Sequence, residues 1–192
     1  MRCLGMGVVV LGVLAAVGGA NRAEAKISKE LIAYSLGRNL GLAAVGHAQG
    51  APEGAVTNIF KKAEILAKAL GTSVPPLPPK TGVRAKDSAA VLRYLLKQAG
   101  APIHGHLKAA HGAKAAALFE LANKANLLAM IYVPGDSLGV SASKGIANAA
   151  TKAGVPAALW TSLVVKVQTK APYPQVKDAV FALHKAVEAH LR

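Results

Sequence analysis

Residues 118–136 read LFELANKANLLAMIYVPGD, and this stretch decides the fold class. From Leu127 to Val133 the residues are apolar or aromatic nearly all round a helical projection. A helix without a polar face belongs at the centre of a bundle, covered by others. Pro134-Gly135-Asp136-Ser137 then makes a turn and a cap. The spacing predicts a long fourth helix, beginning at Pro102 or His106 and running to Tyr132.

Outward from this segment the 3.6-residue period recurs, and no stretch alternates as a half-buried strand does. Upstream, Ser28 is positioned to cap a first helix reaching about Ala48, with Ile32, Leu36, Leu40 and Ala43 on one stripe. Gly50 stops it. Pro52-Glu53 opens a second helix in which Ile59, Ala63, Leu66 and Leu70 share a face before Gly71. Residues 74–80, VPPLPPK, carry four prolines in seven positions and predict a stiff, extended connector. A third helix is predicted from an Asp87 N-cap to Gln98, with Val91, Leu92, Leu95 and Leu96 inward. Downstream, an Ala- and Ser-rich fifth helix reaches about Lys152, and a sixth carries Leu159, Trp160, Leu163, Val164 and Val167. Pro172 and Pro174 introduce a last helix with Val176, Val180, Leu183, Val187 and Leu191 in one stripe. The prediction is an all-α fold: residues 26–192 form a single-domain antiparallel helical bundle of about six or seven helices.

A weak internal echo runs through this pattern. Sliding the chain by 85 residues aligns Leu36, Leu42, Ala44, Gly50 and Gly54 with Leu121, Leu127, Ala129, Gly135 and Gly139. A composition rich in Ala, Gly and Leu supplies most of those identities by itself, so sequence alone leaves duplication open.

The N-terminus has the three parts of a cleavable secretory signal: Arg2, a charge-free run from Leu4 to Ala20, and the small residues of Ala23-Glu24-Ala25. The run of 17 residues holds five glycines, short and poor in helix formers for a membrane anchor. Residues 1–25 are therefore expected to be a signal peptide and the mature chain extracytoplasmic, periplasmic or secreted, with no transmembrane span. Cleavage removes Cys3, the only cysteine, and with it any disulfide or thiolate chemistry.

Cleavage also removes Arg2, Arg22 and Glu24, leaving 21 basic against 8 acidic residues, a formal +13. Such an excess concerns solubility and anionic partners, not the fold. Outside a cell those partners are phospholipid headgroups and acidic envelope polymers, with nucleic acid only stray and not expected. The lysines are dispersed, which also fits a merely solvated surface. Lys61, Lys62 and Lys68 on the second helix, with Lys108 and Lys114 on the fourth, are the candidate contacts.

Chemistry has few carriers. His104, His106 and His111 fall within eight residues and are the candidate metal ligands, with Glu120 or His47 as a candidate fourth. On one continuous helix their spacings are wrong for a shared ion, so a site needs an irregular backbone near Gly105. Glu120 and Lys124 are four apart in the favourable order, beside Asn123, and predict an ion pair at the surface or a cleft rim, with Arg38-Asn39 as a possible answer to Glu120. No hydrolase, metalloprotease, phosphate-loop or dinucleotide motif is present, and no C-x-x-C-H for haem. No cofactor is expected. Tyr34, Tyr94 and Trp160 flank apolar stripes and read as core. The sequence thus points to a non-enzymatic envelope protein that binds an acidic partner or has a structural role. The alternative is a bundle that binds a small ligand or metal, with possible enzymatic activity.

Overall fold

The computed structural model describes residues 27–192; the predicted signal peptide, residues 1–25, lies outside the described residues. Among the described residues every regular element is helical: α1 (Lys29–Ala48), α2 (Glu53–Ala69), α3 (Arg84–Arg93), α4 (Gly100–Ile131), α5 (Ser137–Lys152), α6 (Ala157–Gln168) and α7 (Tyr173–Leu191). The Ser28 hydroxyl accepts from the Leu31 N–H at 3.1 Å, and the Asp136 carboxylate from Leu138 at 3.3 Å, so both caps form as their residue types dictate. Among the described residues no helix is long and apolar enough to cross a membrane.

Three elements depart from the sequence reading. Asp87 is not an N-cap. Helix α3 begins earlier, at Arg84, and the Asp87 carboxylate reaches back to the N–H and hydroxyl of Thr81 at 2.8 and 2.7 Å. Those bonds, the backbone one foremost, hold its carboxyl below the usual range. The third helix does not continue regularly to Gln98 either. Tyr94–Gln98 is a π turn, closed by Ala99 N–H onto the Tyr94 carbonyl at 2.9 Å. The wider turn rotates the side chains that follow, so Leu95 is buried while Leu96 stands 47% exposed, against the inward position predicted for it.

The largest departure is α4. Gly112 sits at φ 89°, ψ 169°, outside helical space, and the chain folds back on itself there. On a straight helix His104 and Glu120 would be roughly 24 Å apart, yet His104 Nε2 lies 3.5 Å from Glu120 Oε2. The arms 100–111 and 113–131 are antiparallel helices joined at a glycine apex. The second arm is the central, buried one that the apolar run predicted, with Leu118, Leu121, Ala122, Ala125 and Leu128 buried.

That arm packs on α1. Gly37 meets the Phe119 carbonyl and Ala122, and Gly41 meets Asn126. Positions rise together along both helices, so the central pair is parallel, not antiparallel as predicted for neighbours. Glycines four apart leave a flat stripe on α1 that lets the second backbone approach closely. Two apolar clusters flank this pair: one from α2, α3 and the first arm of α4, the other from α5, α6 and α7.

The 85-residue echo has a counterpart in this topology. Gly37 touches Ala122 and Gly41 touches Asn126, and each pair is separated by that same offset. Gly50 and Gly135, also 85 apart, both take positive φ (76° and 86°) between α1 and α2 and between α4 and α5. The slot equivalent to α6 is filled by residues 72–83, which hold the proline-rich connector. These residues are extended where the other half uses a helix. Tyr94 O–H donates to the Pro75 carbonyl at 2.5 Å, and a His47 Nε2–H bond to the Pro78 carbonyl, 2.8 Å, fixes its middle.

Candidate functional site

The fold-back at Gly112 decides where the histidines go. His106 and His111 come together, their Nε2 atoms 3.0 and 2.9 Å from the Leu70 carbonyl, with the rings edge-to-face and centroids 6.1 Å apart. Leu70 is the C-cap of α2, whose last carbonyls have no partner inside the helix. Two imidazole N–H groups donating to one carbonyl satisfy it completely. Lys68 in the last turn of α2, with Lys108 and Lys114 on either side of the Gly112 apex, places three exposed ammonium groups at this end of the bundle. Lys61 and Lys62 are exposed further along α2.

His104 parts from the other two. It faces the opposite arm, and the Glu120 carboxylate bridges it and Lys124, 3.5 Å from His104 Nε2 and 2.6 Å from Lys124 Nζ. The predicted trio of His104, His106 and His111 is therefore not assembled. Among the described residues no group of three or more His, Cys, Asp or Glu is placed to hold a metal. The irregularity needed at Gly105 lies instead at Gly112. Arg38 does not answer Glu120: it pairs with Glu188 on α7 at 2.6 Å, while Asn39 bonds back to the Ser35 carbonyl.

The His104–Glu120–Lys124 group borders a cleft of about 230 Å³ between the π turn and the two arms of α4. Its other walls are Leu95, Leu96, Gly100, Ala101, Phe119 and Asn123. The π turn builds this wall. By sending Ala99 N–H to Tyr94, it frees the Leu95 carbonyl, which accepts from Asn123 Nδ2 at 2.9 Å. Gly100 passes so close to that carbonyl that no side chain fits there. Asn123 is left with a buried Oδ1 that has no hydrogen-bond partner. An unpaired buried acceptor costs about 1–3 kcal/mol.

A second polar group lies in the core, and the sequence reading missed it. Tyr34 O–H donates to His184 Nδ1 at 2.9 Å; His184 Nε2–H donates to Asn126 Oδ1 at 3.3 Å. Asn126 Nδ2 in turn donates to the Arg38 and Ala122 carbonyls, both at 3.1 Å. The chain ties α1, α7 and the second arm of α4 together with every member satisfied. Burial pushes the His184 imidazole down to about 3, helped by the nearby Arg38 charge, and drives the Tyr34 hydroxyl well above its ordinary range. His184 is thus a neutral structural imidazole. Its only signal in the sequence was a histidine beside the stripe of Val180, Leu183 and Val187.

Tyr34 and Tyr94 are fully buried, as predicted, and Trp160 is half-buried with its indole N–H on the Val155 carbonyl at 3.3 Å. No protein-family model matches the chain, and no curated protein and no solved structure matches it either.

Proposed function

We propose that the protein is an exported, non-enzymatic component of the cell envelope that engages an acidic partner, an anionic polymer or lipid surface, through its lysines. One observation carries this reading. Among the described residues the only basic side chains within 4.0 Å of a carboxylate are those of Arg38, His104 and Lys124. Lys61, Lys62, Lys68, Lys108 and Lys114 are exposed, and none of them has a carboxylate within 4.0 Å.

Three of the five gather at the end where α2 meets the Gly112 apex, next to His106 and His111. An unneutralised cluster attracts polyanions over about a Debye length, some 8–10 Å at physiological salt. The end is rigidly built, because the two imidazoles lock α4 onto the α2 carboxyl terminus. Such a surface needs no catalytic group.

Sedimentation with vesicles tests the reading. Protein is expected to pellet with vesicles rich in phosphatidylglycerol at low salt, to be released as salt rises, and to ignore neutral phosphatidylcholine. Absence of pelleting at low salt, together with no retention on an anionic polymer, contradicts it.

A further inference from the structure

Helix α2 carries an apolar side chain where its pattern calls for a polar one. The helix buries Val56, Ala63 and Ala67. Ile65 stands about 160° round the helix from both Ala63 and Ala67, on the face turned away from the core. At 68% exposure it is the most exposed large hydrophobic residue among those described. A lone apolar residue on a surface is ordinary, but the surroundings of this one are not. Its neighbours on the helix surface are the residues three and four away, Lys61, Lys62, Lys68 and Ala69, all of them exposed. Three of the four are lysines without a carboxylate within 4.0 Å. Gly54 and Asn58 continue the same line toward the start of the helix, exposed and uncharged. Glu64 lies about 100° round from Ile65, off that line.

The face therefore offers three cations around one apolar side chain. A soluble polyanion answers the cations alone. An anionic bilayer answers both, with phosphates at its surface and an apolar phase about 5–10 Å beneath. Lysine stems are long enough to hold their ammonium groups among the phosphates while a shorter apolar side chain between them goes deeper. We propose that the acidic partner is an anionic lipid bilayer, and that α2 lies against it through Lys61, Lys62 and Lys68 with Ile65 entering between the headgroups. This rests on the reading that the lysines engage an acidic partner, and it commits that partner to lipid.

Sedimentation with phosphatidylglycerol vesicles and retention on immobilised dextran sulfate, both at low salt, separate lipid from polymer. Ile65→Ser is expected to keep the wild-type thermal melt, to weaken vesicle binding about fivefold and to leave retention on dextran sulfate unchanged. Depth is read by fluorescence in a Trp160→Phe background, which removes the only native tryptophan. Ile65→Trp is expected to give emission that shifts to the blue on vesicles and is quenched by brominated acyl chains. Ser162→Trp, exposed on α6 in the other half of the bundle, is expected to show neither change. Vesicle binding by folded Ile65→Ser equal to that of the wild type, equal loss on vesicles and dextran sulfate, or unshifted emission from Ile65→Trp overturns the proposal. Wild type that is retained on dextran sulfate but ignores the vesicles also overturns it, and leaves an anionic polymer as the partner. Wild type that binds neither removes the underlying reading as well.

Discussion

Gly41 and Asn126 stand so close that a methyl group on the glycine would come within 2.5 Å of the asparagine side-chain nitrogen. That contact joins two features of the molecule: the parallel packing of α1 on the second arm of α4, and the buried polar chain that runs from Asn126 through His184 to Tyr34. The backbone approach fixes where Asn126 sits, and Asn126 fixes the imidazole.

Gly41→Ala should therefore destabilise by about 1–3 kcal/mol, because neither Asn126 nor the helix behind it has room to yield. Gly105 gives the contrast: it lies within the first arm of α4, and a Cβ there meets nothing within 4 Å. Gly105→Ala is expected to stabilise by about 0.5–1 kcal/mol through the lost entropy of glycine. Urea midpoints at unchanged slope measure both. Equal effects of the same sign contradict the close-packing account.

His184 makes stability depend on pH with a definite sign. Its folded value is lowered to about 3, whereas an unfolded histidine titrates near 6.5. Between those values the unfolded state binds the extra proton, so the contribution is complete above about pH 6.5 and declines as pH falls toward 3. The loss is at most about 1.4 kcal/mol per pH unit. His184→Gln keeps a donor for Asn126 but takes the proton acceptor from Tyr34. It should cost about 1–3 kcal/mol at pH 7 and flatten the dependence between pH 6.5 and 4. Denaturation midpoints across that range decide it; an undiminished slope in the variant assigns the pH dependence elsewhere.

Much of the fold is legible in the sequence because it rests on local signals: the apolar stripes, Ser28 and Asp136 as caps, and glycine or proline at most helix ends. What escaped reading was set by tertiary contact. Gly112 sits in the sequence AHGAK, where nothing local separates a tolerated helical glycine from a fold-back; only its positive φ and the meeting of His104 with Glu120 show which. The π turn at Tyr94 carries no sequence mark either. Since the histidine spacing was judged on a straight helix, the error in α4 carried into the site. It left His104, His106 and His111 as one set of candidate ligands and hid that two of them meet at Leu70 while the third turns to Glu120. Asn123 and Asn126 were read with a polar face because their charged neighbours are polar, although both asparagines point into the core.

Gly112→Ala tests the fold-back. A non-glycine residue at φ 89°, ψ 169° is strained by about 1–3 kcal/mol. The variant should lose that much stability and also disturb the bonds of His106 and His111 to Leu70, visible as shifts of both imidazole resonances. A variant as stable as the wild type with unchanged histidine signals shows that the apex is not where the structure places it.

The lysine surface is tested most directly by comparing two charge-matched variants on phosphatidylglycerol vesicles at low salt. One carries Lys68, Lys108 and Lys114 changed to Gln; the other carries Lys144, Lys152 and Lys185, equally exposed lysines on α5 and α7, changed to Gln. Both lose three charges, so a general attraction weakens equally. The account predicts that the first variant loses most of its binding, about tenfold or more, while the second stays within about twofold of the wild type. Equal weakening of the two variants, or unimpaired binding by the first, contradicts it.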